Sequence, residues 1–105
     1  MNVVVIEEKD RTIAEVKGRV DTTTAPDFQK LILDVLAKKP KQLILDCSQL
    51  EYISSAGLRV FLIIVKTAKA DGVRVSLCSL TEFVSDVLTT SGFDAFFEIK
   101  PDRNS

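Results

Sequence analysis

The sequence predicts an α/β protein built on one mixed, mainly parallel sheet. Two short extended runs, Val3 to Glu8 and Thr12 to Lys17, flank the polar turn Lys9-Asp10-Arg11 and read as an opening hairpin. From there on, apolar runs of strand length alternate with helix-period patterns, the mark of strand–helix–strand crossovers. The run Gln42 to Cys47 is almost continuously apolar, as a central strand buried on both faces should be. The expected order is β-β-α-β-α-β-α-β, with about five strands and three to four helices.

Each element has its own signal. The second strand is expected to stop at Gly18, where a bend is easiest, leaving Arg19-Val20-Asp21-Thr22-Thr23 as a loop. Thr24 is placed to cap the first helix, with Pro26 in its first turn. Phe28, Leu31, Ile32, Val35 and Leu36 recur with helical period and define its buried face; Pro40 closes the segment. A second helix should run from the Ser54-Ser55 turn to about Ala70, with Leu58, Phe61, Leu62 and Val65 as its core stripe. Val60, Ile63 and Ile64 make that helix apolar almost all round, so it is either deeply buried or offered to a partner. Asp71-Gly72 ends it. Val73, Val75 and Leu77 alternate as a half-buried strand. Ser79 or Thr81 caps a third helix, with Phe83, Val84, Val87 and Leu88 inward, and Ser91-Gly92 stops it. Phe96 to Ile99 reads as a last short strand, and Pro101 to Ser105 as a polar tail.

Composition narrows the function. A chain of 105 residues, 46% hydrophobic and 28% charged, suits one globular domain over residues 1–105. The net charge of −1 makes no case for nucleic acid as a general partner. The apolar run Val60 to Val65 is far shorter than the ~20 residues of a membrane span. No signal peptide is legible, so the cytoplasm is the expected location. Cys47 and Cys78 lack any zinc or CxxC spacing and read as buried thiols. With no histidine, a Ser-His-Asp or Cys-His triad is impossible in this chain alone, and no Walker A or GxGxxG pattern occurs. The expectation is a protein that is not an enzyme and holds neither metal nor cofactor.

One stretch stands out chemically: Tyr52-Ile53-Ser54-Ser55-Ala56-Gly57-Leu58-Arg59, small and polar between a buried strand and an apolar helix. Ser54 or Ser55 should sit at the helix N-terminus, where free N–H groups and the positive dipole end stabilise an anion. A phosphorylated hydroxyl would suit that place, and so would ordinary capping by serine. The loop carrying Asp21 is expected at the same sheet edge.

The run from Leu43 to Leu58 resembles the central motif of STAS domains, the anti-sigma factor antagonists of bacteria and their relatives. Gly18-Arg19-Val20-Asp21 and Gly72-Val73-Arg74-Val75 extend the resemblance over nearly the whole chain. It implies a single STAS-like domain. The family's phosphoacceptor motif is Asp-Ser-Ser-Gly-Leu, so anchoring on Gly57-Leu58 places the acceptor at Ser55. Ser54 stands where the family has aspartate and is the rival acceptor; Ala56 replaces the second serine.

What the resemblance implies is a phosphorylation-controlled partner switch. Unphosphorylated, the protein would bind an anti-sigma factor with serine kinase activity and free a sigma factor for transcription. Phosphate would end the complex, and a serine phosphatase would restore it. The implied binding face comprises Asp21, Thr22, Thr23, Ser54, Ser55, Ala56, Gly57, Leu58, Arg59 and Ile63, with Asp46 as a structural acid nearby. The alternative is a non-switching STAS scaffold or accessory subunit of a transporter or signalling complex. Monomer is the default state, and the apolar second helix leaves dimerisation open.

Overall fold

A computed structural model describes residues 1–105, and in it five strands form one sheet in the order β1-β2-β3-β4-β5. β1 (Asn2–Glu7) pairs antiparallel with β2 (Thr12–Val20); β3 (Gln42–Ile53), β4 (Arg74–Cys78) and β5 (Glu98–Lys100) follow in parallel. The crossovers are α1 (Ala25–Ala37), α2 (Ser55–Ala70) and α3 (Glu82–Ser91), the last followed by a 3₁₀ turn over Phe93–Phe96. Every parallel connection joins neighbouring strands in one direction. The right-handed rule therefore puts all helices on one face. The mixed five-stranded α/β architecture is the one expected.

The main core lies between that face and the helices. Ala14, Val16, Leu43, Leu45, Cys47 and Leu77 from the strands meet Phe28, Ile32, Phe61, Ile64, Val84 and Leu88. Phe28 and Phe61 are in aromatic contact, their ring centroids 5.4 Å apart. Each such fully buried side chain contributes about 1.5–3 kcal/mol.

Several boundaries differ from expectation, each for a reason of pairing or packing. β2 does not stop at Gly18. It continues to Val20, because Gly18 adopts φ +89 and absorbs a register irregularity between Gly18 and Arg19. β3 runs on from Cys47 to Ile53 for the same reason: the extended β2 gives it partners up to Val20↔Ile53. The buried residues of α2 are Gly57, Leu58, Val60, Phe61, Ile64 and Ala68, so Leu58 and Phe61 lie in the core as expected, whereas Leu62 and Val65 flank it half-buried. Phe83 lies outside the core of α3 and is 47% exposed. Ser76, expected on the open side of a half-buried strand, is buried without a hydrogen-bond partner.

The helix-free face is partly covered by the residues read as a polar tail. Ile13, Ile44 and Cys78 form a small cluster there with Ile6 packed against it. Beside it, the Arg103 guanidinium donates to Glu15 Oε2 at 2.6 Å and, through Nε, to Asp46 Oδ2 at 3.1 Å. Arg11 holds the tail down by donating to the Arg103 carbonyl and to Asn104 Oδ1. The Leu43–Cys47 run of β3 is thus buried on both faces as expected, with the folded-back tail lying against the second, whereas Ser48, Gln49 and Glu51 farther along the strand are exposed.

Candidate functional site

The candidate site is the edge where β2 and β3 end together. Ser54 N–H donates to the Val20 carbonyl at 2.9 Å, the last rung between the two strands. Beyond that rung the chains diverge: Val20 leads into the Asp21 loop and α1, Ser54 into α2. The Asp21 loop and the Ser54–Ser55 turn therefore leave neighbouring strand ends, as expected.

The loop is rigid by its own hydrogen bonds. Asp21 Oδ1 accepts from the N–H groups of Thr23 at 3.0 Å and Thr24 at 3.1 Å. The Thr24 hydroxyl accepts from Asp21 N–H at 2.9 Å and lies in donating range of the Arg19 carbonyl. Thr24 holds the cap position of α1 but makes no side-chain cap bond to the helix; the Asp21 carboxylate takes the Thr23 and Thr24 N–H groups just before it, and the Asp21 carbonyl accepts from the Ala25 N–H. The Thr24 N–H is the main reason that the Asp21 carboxyl titrates below its ordinary value; desolvation opposes it, and Thr23 N–H and Arg19 add to the lowering. Asp21 is therefore a fixed negative charge at neutral pH. Thr22 and Thr23 are exposed at the loop tip.

The two serines have different situations. Ser54 is the N-cap of α2: it is extended at φ −91, half-buried, and its Oγ accepts from Gly57 N–H at 3.3 Å. Ser55 is the first helical residue, exposed, and its hydroxyl takes no part in the cap. α2 has no acidic residue of its own in its first turn to offset its free N–H groups and positive dipole end. One turn beyond Ser55 lies exposed Arg59, and half-buried Ile63 follows at the same spacing.

Two residues of the expected face, Gly57 and Leu58, are buried, and Asp46, expected as a structural acid nearby, lies elsewhere. Gly57 is buried against the end of β2. A Cβ there would stand 2.8 Å from both the Val20 carbonyl oxygen and Ile53 Cγ1. Its missing side chain lets α2 approach the strand. Leu58 is 6% exposed and belongs to the core. Asp46 is not near the site. It lies upstream on β3, roughly 20 Å from Ile53 at ~3.3 Å per residue, and its carboxylate pairs with Arg103 on the helix-free side. Burial pushes the Asp46 carboxyl up, but the Ser48 N–H and Arg103 outweigh it and leave the group lowered. Ala56 is half-buried and packs on the core. The exposed members of the expected face are thus Thr22, Thr23, Ser55 and Arg59, with Asp21, Ser54 and Ile63 partly covered beside them.

A stack of three side chains beside this edge was not expected. The Arg19 guanidinium lies over the Tyr52 ring, 4.2 Å from its centroid, and Tyr52 stacks on Phe83 of α3 at 5.6 Å. Arg19 and Tyr52 are register partners across β2 and β3. Only the extended strands bring them together, so no spacing within the sequence reveals the contact.

Comparison with known proteins agrees with this fold. The STAS domain family matches residues 2–105. The chain belongs to the STAS domain family. Among curated STAS relatives it is similar to BtrV of Bordetella bronchiseptica, named as an anti-sigma factor antagonist. The two are 32% identical over 93 residues, covering 89% of this chain and 80% of BtrV. A Thermotoga maritima structure described in the same terms has a TM-score of 0.90 at 25% identity, covering 97% of this chain and 88% of that one. An anti-sigma factor antagonist from Mycobacterium paratuberculosis shares the fold with a TM-score of 0.89 at 21% identity, over 98% of this chain and 87% of that one. No helix of this STAS chain is long and apolar enough to cross a membrane.

Proposed function

We propose that this protein is an anti-sigma factor antagonist working as a phosphorylation-controlled partner switch, with Ser55 as the phosphoacceptor. The observation that carries the reading is the division of labour between the serines. Ser54 is committed to capping α2, whereas Ser55 is exposed beside the Asp21 loop with its hydroxyl free of the cap. The names of its relatives support the role.

In this reading residues 1–105 act as one STAS domain in the cytoplasm. The unphosphorylated form offers Thr22, Thr23, Ser55, Arg59 and Ile63, with Asp21 holding the loop in shape, to an anti-sigma factor with serine kinase activity. The captured partner releases its sigma factor. The kinase supplies ATP and its metal; the STAS protein supplies only the hydroxyl and its surroundings. Phosphate adds about −1.5 to −2 charges and three acceptor oxygens. Placed at the first residue of α2, it gains from the helix dipole within the chain but must be desolvated if the partner stays bound. Beside the ionised Asp21 it also concentrates negative charge at the interface. Both effects favour dissociation, and a serine phosphatase resets the switch.

Incubation with the cognate kinase and ATP, followed by mass spectrometry, should place one phosphate on Ser55 and none in Ser55→Ala. Equal labelling of that variant would remove Ser55 as the acceptor, and labelling lost only in Ser54→Ala would move the role there. Ser55→Asp should weaken kinase binding in calorimetry at least tenfold; unchanged affinity would count against release by charge and desolvation.

A further inference from the structure

The two edges of the sheet are built differently. β5 is three residues long and two of them, Glu98 and Lys100, are charged. Short, charged edges are protected against pairing with another chain. β1 is twice as long, and its one charged residue, Glu7, stands at its end. It presents Asn2-Val3-Val4-Val5-Ile6-Glu7 without proline, glycine, lysine or bulge, and its register with β2 is unbroken from Asn2↔Lys17 to Glu7↔Thr12. Its outer side pairs with nothing. Val4 and Val5 are 36% and 37% exposed on opposite faces of the strand. On the helix side, Val5 borders an open groove with Leu31 and Val35 of α1, rimmed by Glu7, Asp34 and Lys38.

We propose that the outer edge of β1 is a self-association surface whose occupant is a second copy of this chain, added antiparallel so that two sheets become one. A strand facing itself antiparallel is related by a two-fold axis, the symmetry of most dimers. Centred on Val4, the pairing sets Val4 against Val4 and Val3 against Val5. Centred on Val5, it sets Val5 against Val5 and Val4 against Ile6. Either arrangement matches β-branched side chains across the new ladder. The rim carries both signs, so two copies meet without single-sign repulsion, whereas a uniformly acidic or basic partner finds no complement. One short strand and its flank form a small interface, so the association is weak and concentration-dependent. The surface lies on the opposite side of β2 from β3, and it does not depend on the proposed role of Ser55.

Sedimentation equilibrium of the full chain between about 5 and 500 μM tests this. The expected result is a monomer at the low end and a dimer at the high end. Val4→Lys and Val5→Lys should each raise the dissociation constant at least tenfold while leaving the far-UV circular dichroism unchanged. Leu62→Lys, on the outward side of α2, should leave association as in the wild type. If either β1 variant loses its fold, oxidation of Val4→Cys and Val5→Cys provides a second measurement, since Cys47 and Cys78 are buried; one of the two should trap a covalent dimer. A monomer at every concentration overturns the proposal, as does a dimer that survives both β1 lysines or fails with Leu62→Lys. A monomer whose binding to the kinase is lost in Val5→Lys overturns it too, and assigns the edge to that partner.

Discussion

Replacing Gly57 by alanine inverts an ordinary rule. Within a helix the change normally stabilises by up to about 1 kcal/mol, because alanine loses less backbone entropy. Here the new methyl group would lie 2.8 Å from the Val20 carbonyl oxygen, 2.8 Å from Ile53 Cγ1 and 3.0 Å from Val20 Cγ1. Optimal carbon contacts fall near 3.5–4.0 Å. The first turn of α2 must therefore back away from the sheet by several tenths of an ångström, against two neighbours that are themselves buried. Overpacking of this kind costs about 1–3 kcal/mol. Set against the propensity gain, the net loss is about 1–2 kcal/mol. At roughly 4–8 °C per kcal/mol for a domain of this size, that is a Tm drop of about 4–16 °C. The same displacement strains the Ser54 N–H bond to the Val20 carbonyl, which ties the serine turn to the Asp21 loop. Kinase labelling of Ser55 should fall along with stability. Urea titration at pH 7 and a labelling time course measure the two effects. A variant as stable as wild type or more so would refute the reasoning, since it would mean that α2 can shift off Val20 without cost.

Ser54→Ala should lose about 1 kcal/mol through its helix cap, whereas Ser55→Ala should stay within ~0.5 kcal/mol of wild type. Urea titrations that rank them the other way would contradict the assigned positions. Arg103→Ala should cost about 1–2 kcal/mol at pH 7, because it strips the partner from a nearly buried Asp46 while Glu15 remains partly solvated. Asp46 is a group with a lowered folded pKa, so its contribution is full above the unfolded carboxyl value near ~3.9 and is lost as pH falls through the folded value. The penalty of Arg103→Ala should accordingly shrink between pH 7 and pH 3 in denaturant titrations; an equal penalty at both would show that the ion pair is not its source.

Local pattern was enough for the element order, the capping glycine of α3, the central position of the Leu43–Cys47 run and the serine turn as the one unusual strand–helix junction. These depend on side-chain period and on residues with strong local preferences, which act over a few positions. The sequence also drew attention to Ser54 and Ser55 together, but it could not rank them. Which serine caps α2 depends on where β3 ends, and β3 ends at Ile53 only because β2 continues through Gly18 to Val20. Pairing across strands likewise decided that Arg19 stacks on Tyr52 and that Gly57 is packed against the end of β2.

The same division holds for Asp46 and the final residues. Read locally, Asp46 closes an apolar run near the serines and residues 101–105 are merely polar. In the folded chain, Arg103 crosses a long sequence separation to neutralise Asp46 on the far side of the sheet. By itself the sequence determined the α/β class, the alternation of elements and the chemical singularity of the serine turn, because period and propensity are local. Tertiary structure alone decided which serine is free, which face each acid occupies and what partly covers the open side of the sheet, because strand register and chain reversal are set by partners distant in sequence.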